Sequence, residues 1–521
     1  GEGSGGIGAK IFGAVSAEVS SEWDCPHWGM YGRTLARTFA TDSPIHRTDD
    51  SAECASTIDK ATVPLLFPLW VVKTPRTVTA SPAVVDGVVY VGAWDGVMYA
   101  FDAETGATRW KFQTEPAPGA AFGPIVSSAA VADVPFVGGD RRLVIFGSGP
   151  RLYALDADAD DAHRVAWVRY LGALDGDGNP LLDEDFTEIE SSPAVWNGVV
   201  YVGLGTHNHG DDESGGVRGG MLALDATTGA ELWRFEPETA GGNAGFGCGG
   251  VWGSPTIDVG TGTLFFGLGN CDAKAADGYA WNDLTEAVIA LDAADGSLRW
   301  SFAPHAPYNG RDEDFGATPN LYRDRNGRKL LGAGGKDAVY YALDPERGSL
   351  VWKKKVAEPG YIQDGFAVGG FIGSTAVSRG NVFGGTAIGG PLYYHSLDGT
   401  TGALRWQGLA AFHYAPSAAV NGVVFAGALD DLFKAFDQAT GLPLFVAPLL
   451  GPVSSGPAIV GDAVYVGSGT SSSDLCGKDT PVFSELCLEI FDGRLGATGG
   501  VHAFRLPRGG VPPIPRIHLT P

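Results

Sequence analysis

The chain has 521 residues, 60 acidic against 36 basic side chains for a formal net charge of −24, and 78 glycines. This acidity excludes the basic footprint that nucleic-acid binding needs. No apolar run reaches the roughly 18 residues of a membrane-spanning helix, and the glycine content suits a chain full of tight turns.

In chain order, residues 1–64 read as an N-terminal extension, and the opening GEGSGGIGAK has no signal-peptide core. Within residues 65–75, Leu69-Trp70-Val71-Val72 has the pattern of a last strand in a sheet with no preceding strands of its own. The stretch Ser81–Trp110 then supplies a whole unit: apolar runs at Ser81–Val85, Val88–Gly92, Val97–Phe101 and Thr108–Phe112. Asp86-Gly87, Asp95-Gly96 and Thr105-Gly106 separate the runs, and such dipeptides suit tight antiparallel turns. One four-stranded meander cannot bury its two faces alone, so it requires neighbours.

The grammar S-P-A-V-x-x-G-x-V-Y-V-G followed by A-L-D-x-x-T-G-x-x-x-W returns near Ser128, Ser192, Ser254, Thr318, Ser374, Ser417 and Ser455, which with Ser81 makes eight units. The eighth stops at Val501–Leu506 without a fourth strand, and Leu69–Val72 is the missing piece. The expected fold is all-β: an eight-bladed β-propeller of four-stranded antiparallel blades, its last blade closed by the N-terminal strand. It is expected as a single domain over 1–521, with the blades in 76–507 and a C-terminal tail in 508–521.

The turns between strands one and two, and between three and four, are short. The long insertions, Leu204–Gly219, Leu268–Thr285, Pro304–Gly316, Glu358–Gly373 and Ser468–Gly499, fall between strands two and three or between blades. All of these lie at one end of a meander, so one face of the ring carries them, where binding and catalysis concentrate. Glu213, Asn270 and Asp314 bring oxygen donors to that face from separate loops, a set suited to a hard cation such as calcium. His207 and His209 in the first insertion have a spacing open to a transition metal or to plain solvent exposure. Six cysteines allow 15 pairings. Proximity favours Cys25–Cys54, Cys248–Cys271 and Cys476–Cys487 as disulfides in an oxidising compartment, against six buried thiols.

These motifs resemble the quinoprotein alcohol dehydrogenases that use pyrroloquinoline quinone (PQQ), and Trp28-Gly-Met-Tyr-Gly-Arg33 and Leu69–Thr74 look most like the propeller of polyvinyl-alcohol dehydrogenases. The resemblance implies PQQ and Ca2+ as cofactors. It implies Glu213, ahead of Gly216-Val217-Arg218-Gly219, and Asn270, in Gly-Leu-Gly-Asn, as metal ligands together with Asp314. Asp314, before Phe315, would be the general base, and Trp252 and Lys336, with Arg218, would contact the cofactor. The implied reaction oxidises a primary, secondary or polymeric alcohol by hydride transfer to a calcium-polarised quinone. Lanthanide-using relatives carry a second Asp where this chain has Gly316, which points to calcium. A periplasmic or secreted location, a separate electron acceptor such as a cytochrome c, and no membrane span are implied with it. The family's adjacent cysteine pair and the acidic residue at the start of blade one are absent, the latter replaced by Thr79-Ala80. The alternative is a non-enzymatic binding or assembly propeller.

Overall fold

The structure is a computed structural model that describes residues 27–42, 56–117, 123–172, 177, 187–206, 219–241, 249–269, 274–275, 278–279, 283–305, 313–359, 369–387, 393–469, 499–509 and 515–519. Eight antiparallel sheets follow one another around a ring, with the strand order expected for meanders. Blade 1 comprises Ala83–Val85, Val88–Gly92, Val97–Asp102 and Thr108–Gln113.

The repeated T-G-x-x-x-W grammar is a staple between blades. Each blade-closing tryptophan donates its indole N–H to a backbone carbonyl of the next blade: Trp110 to Ala157, Trp167 to Ala226, Trp233 to Ala293, Trp300 to Pro345, Trp352 to Gly399 and Trp406 to Gln438. The ring of Trp233 also covers the turn glycine of its neighbour. A Cβ on Gly296, which has φ +73°, would fall 2.6 Å from Trp233 Cε3, so a larger residue fits neither the space nor the dihedral. The seventh blade has Phe445 in this place, which cannot donate. The repeated Ser-Pro forms a second circuit. Ser81 N donates to Ser128 Oγ, Ser128 N to Ser192 Oγ, Ser192 N to Ser254 Oγ, Ser254 N to Thr318 Oγ1 and Thr318 N to Ser374 Oγ. The circuit is open at blade 7, where the residue in register is Pro416, with neither an N–H nor a hydroxyl; in blade 8 the residue in register is Gly456 rather than Ser455, and its N–H donates to Ser81 Oγ.

Phe67–Thr74 pairs antiparallel with Gly499–Arg505 and so completes blade 8 from the N-terminus. Trp70 then staples this strand to blade 1, donating to Ala103 O at 2.9 Å. A fifth strand, Arg516–Leu519, lies parallel on the outer side of Phe67–Thr74, so part of the stretch expected only as a tail belongs to the sheet.

The segment 28–42 is the larger surprise. It runs along the inner edges of the blades, where first-strand N–H groups would otherwise lack partners. Gly29 O accepts from Val131, Leu35 O from Ile257, Ala36 O from Leu321, Thr38 O from Val377 and Phe39 O from Ala419, while Trp28 and Val84 exchange two bonds. The guanidinium of the fully buried Arg37 donates to Pro255 O at 2.8 Å and to Ser192 O and Pro193 O at 3.3 Å, which reaches blades 3 and 4. This segment is a hub: by bonding to blades 1 through 7 it ties the ring together from inside.

Candidate functional site

Three of the expected site residues meet around the buried Asp314 at the junction of blades 4 and 5. Trp252 Nε1 donates to Asp314 Oδ2 at 3.0 Å. Lys336 Nζ forms an ion pair with the other oxygen, Asp314 Oδ1, at 2.8 Å; Asp314 is buried, and the Lys336 side chain keeps 11% of its surface exposed. The same ammonium lies 5.3 Å from the centroid of the Trp252 ring, within cation–π reach.

The backbone explains why they meet. Asp314 ends the connection from blade 4, and the next residue, Phe315, is a fully buried wedge whose N–H donates to Leu268 O. Gly267 lets that wedge in, because a Cβ there would sit 2.0 Å from Phe315 O. Lys336 sits in the turn between the second and third strands of blade 5, closed by Gly335 N to Val339 O at 3.0 Å and Ala338 N to Gly335 O at 3.1 Å. Lys336 N donates to Asp314 O at 3.1 Å, so the two residues are joined through backbone and side chains alike. Trp252 follows the fully buried Val251, whose N–H is held by Leu204 O. Its ring lies against Gly316: a Cβ at that position would overlap the indole, 1.4 Å from Cη2.

Glu213, Asn270 and Arg218 lie outside the described residues, as do His207, His209 and all six cysteines. Two neighbours are informative. Gly269, which precedes Asn270, backs directly on the Asp314–Trp252 bond, where a Cβ would be 3.3 Å from Asp314 Oδ2 and 3.5 Å from Trp252 Nε1. Gly219, which follows Arg218, packs on Gly249 and Gly250, close in sequence to Trp252. Among the described residues, no group of three or more His, Cys, Asp or Glu side chains is arranged to hold a metal by itself.

Sequence reasoning missed a polar layer behind the cluster. His305 Nδ1 is 3.1 Å from Glu313 Oε2, and its Nε2 is 3.6 Å from Asp337 Oδ2. Glu313 N donates to Oε1 of the buried Glu286 at 2.8 Å. Asp337 also accepts from the Tyr341 hydroxyl and from Val339 N. Burial pushes the Asp337 carboxyl above the usual range, against the Tyr341 hydrogen bond and the charge of His305. On the other side, Tyr414 is pushed up to about 12 by burial while the Lys336 charge draws it back, which puts Tyr414 in the field of the same ammonium. The i, i+1 pairs Glu313-Asp314 and Lys336-Asp337 were the available signal for this layer.

The donor set suits an anionic, planar, redox-active cofactor with a metal beside it. A flat indole, an ammonium and a carboxylate converge, and glycines 269 and 316 keep side chains away from the indole.

The family model for the glucose/ethanol/alcohol dehydrogenase β-propeller domain matches residues 54–359, and that of the outer-membrane protein assembly factor BamB matches residues 335–480. A polyvinylalcohol dehydrogenase of Sphingopyxis sp. (strain 113P3) is 27% identical over 497 residues, covering 81% of this chain and 71% of the relative. A quinohemoprotein alcohol dehydrogenase of Pseudomonas putida is 27% identical over 319 residues, 54% of this chain and 40% of the relative. The crystal structure of the quinohemoprotein alcohol dehydrogenase from Comamonas testosteroni superposes with a TM-score of 0.67 at 20% identity, covering 93% of this chain and 82% of that one. With eight four-stranded blades and a model match that spans the Asp314–Trp252–Lys336 cluster, the chain belongs to the family of glucose/ethanol/alcohol dehydrogenase β-propeller domains.

Proposed function

We propose that this chain is a PQQ- and calcium-dependent dehydrogenase that oxidises an alcohol outside the cytoplasm, with Asp314 as the proton acceptor. The observation that carries the reading is the convergence of Lys336 and Trp252 on the buried Asp314. Glu213, Asn270 and Asp314 would hold the calcium, and Trp252, Lys336 and Arg218 the quinone. When bound, the quinone supplies a two-electron sink and the calcium a Lewis acid.

The chain's own residues do the rest. Asp314 takes the hydroxyl proton of the alcohol as its C–H bond breaks, the role of a positioned general base. Trp252 fixes the carboxylate by donating to Oδ2 and Lys336 pairs with Oδ1, so a calcium ion and an incoming hydroxyl would use the remaining lone pairs of these two oxygens. As Asp314 gains the proton its negative charge is lost, and the Lys336 ammonium is freed to stabilise negative charge that develops beside it. Burial strengthens each of these interactions by excluding solvent. Gly316 is the position that separates calcium from lanthanide use in this reading. A carboxylate side chain there would need the space that the Trp252 ring fills.

The relatives named polyvinylalcohol dehydrogenase make polymeric secondary alcohols the first substrates to try. Electrons would pass to a separate acceptor, such as a cytochrome c. The BamB-model match over 335–480 favours a second reading, a non-catalytic assembly scaffold. Reconstitution separates the two: apo-protein given PQQ and Ca2+ should reduce an artificial electron acceptor with alcohols and lose that activity on chelation. Failure to bind PQQ under any metal would turn the reading to the scaffold.

A further inference from the structure

Blades 1, 5 and 7 build the same turn between their second and third strands, and the comparison isolates one residue. In each, an aspartate accepts from the N–H two residues on: Asp95 from Val97, Asp337 from Val339 and Asp430 from Leu432. The residue before that aspartate bonds through its N–H to the incoming inter-blade strand: Trp94 to Thr77 O, Lys336 to Asp314 O and Leu429 to Phe412 O. The aspartate's second oxygen is met by Tyr99, Tyr341 or Lys434. Thus Asp314 and Lys336 occupy positions that Thr77 and Trp94 occupy in blade 1.

The device differs in one respect. The residue preceding the inter-blade partner is Arg76 in blade 1, whose charge favours the ionised Asp95. In blade 5 it is Glu313, whose charge opposes that of Asp337. Two carboxylates brought together in a buried place repel. His305 stands between them, its Nδ1 within hydrogen-bond distance of Glu313 at 3.1 Å and its Nε2 turned toward Asp337 at 3.6 Å, an ion-pair separation rather than a hydrogen bond. Glu313 and Asp337 are the immediate chain neighbours of Asp314 and Lys336, so their separation bears on that of the functional pair, beside the Lys336 N to Asp314 O bond.

We propose that His305 is a positioning residue: by bridging Glu313 and Asp337 it holds Asp314 and Lys336 at the spacing their joint action requires. This rests on the reading of Asp314 and Lys336 given above, but its test does not. Trp252 Nε1–H donates to Asp314 Oδ2, so its indole N–H resonance reports the position of that carboxylate in the full-length apo-protein. The resonance is assigned by its disappearance in Trp252→Phe.

In His305→Ala this resonance should move while those of the blade-closing tryptophans stay. Two repairs should bring it back toward the wild-type position. His305→Asn keeps an amide donor near the place of Nδ1, and His305→Ala/Glu313→Gln removes the like charge that the imidazole separates. A histidine that merely fills space would not be repaired by a change at Glu313. In the reconstituted enzyme the alanine variant should lose up to ~10²-fold in kcat with little change in KM, and the two repaired variants should regain most of it. An unmoved resonance in His305→Ala, or failure of both repairs, would overturn the proposal. Should His305→Ala not fold, the double variant decides: a folded protein with the wild-type resonance supports the proposal, and an unfolded one contradicts it. If the wild type neither binds PQQ nor oxidises alcohols, the functional reading fails while the indole resonance still decides the role of His305.

Discussion

The indole of Trp252 lies so close to Gly316 that a single Cβ at that position would fall 1.4 Å from Cη2. The pair therefore works as a unit: the absence of a side chain at 316 is what lets Trp252 stand where it can donate to Asp314. Gly316→Ala should push the ring away, break that bond and cost roughly 1–3 kcal/mol of stability as an overpacked site. Urea unfolding measures the cost, and a PQQ titration followed by tryptophan fluorescence should show weakened binding. Gly316→Asp should behave likewise and gain no lanthanide-dependent turnover.

The Asp314–Lys336 ion pair gives a second expectation. Asp314 is buried and Lys336 only slightly exposed, so removing the ammonium leaves a buried carboxylate without its counter-charge. Lys336→Met should destabilise the protein by roughly 3–5 kcal/mol. Adding Asp314→Asn to it should restore much of the loss, since a neutral pair carries no unpaired charge. A double variant no more stable than Lys336→Met would mean that the pair is not the source of the cost.

The fold was legible because its devices are periodic. The Trp–Gly staple and the Ser-Pro circuit each use the same residues in successive blades, so a repeated grammar pointed to a repeated geometry. The lone fourth strand at Leu69–Val72 was legible for the same reason: it matched a pattern whose other members were missing. The hub at 28–42 was not, because it bonds mainly through backbone carbonyls, which any sequence can offer. Trp28-Gly-Met-Tyr-Gly-Arg33 stood out as a motif, but nothing in it announces backbone bonding to the blades, and the role of Arg37 shows only once it is buried. In the candidate site, Asp314, Lys336 and Trp252 were picked out by their resemblance to a known motif, and the structure brings the three together. His305 was missed because its partners, Glu313 and Asp337, are brought to it only by the stacking of blade 4 on blade 5.

Ring closure is testable by truncation. Removing 1–75 takes away both the hub and the strand Phe67–Thr74 that completes blade 8, and cooperative unfolding should be lost. Removing 508–521 takes away the outer strand Arg516–Leu519 and the ion pair of Arg508 with Asp462 but leaves the closing strand in place, and calorimetry should show a single transition at a lower midpoint. Equal midpoints for the full chain and the 1–75 deletion would contradict the closure.

Three buried histidines set a pH dependence. Burial pulls His395, His413 and His502 down from 6.5 to about 3, about 4 and about 3. Unfolded, they take up protons below pH 6.5; folded, they stay neutral until the pH is far lower. Their contribution to stability is therefore present above about pH 6.5 and is lost as pH falls toward about 4. Each adds up to about 1.4 kcal/mol per pH unit to the slope. His413→Gln should reduce the slope measured by urea unfolding between about pH 6 and about pH 5 by about 1 kcal/mol per unit. An unchanged slope would show that His413 takes up its proton equally in both states.

The central claim is that Asp314 is the base of a PQQ site, and Asp314→Asn tests it most directly. The amide keeps one oxygen but cannot accept the proton, and because it also leaves Lys336 without its counter-charge, only folded and loaded protein is compared. Wild-type and variant proteins are loaded to equal PQQ and Ca2+ content, and alcohol-dependent dye reduction is measured. The account predicts equal loading and a turnover lower by ~10²–10⁴-fold in the variant. Equal turnover at equal loading would contradict it.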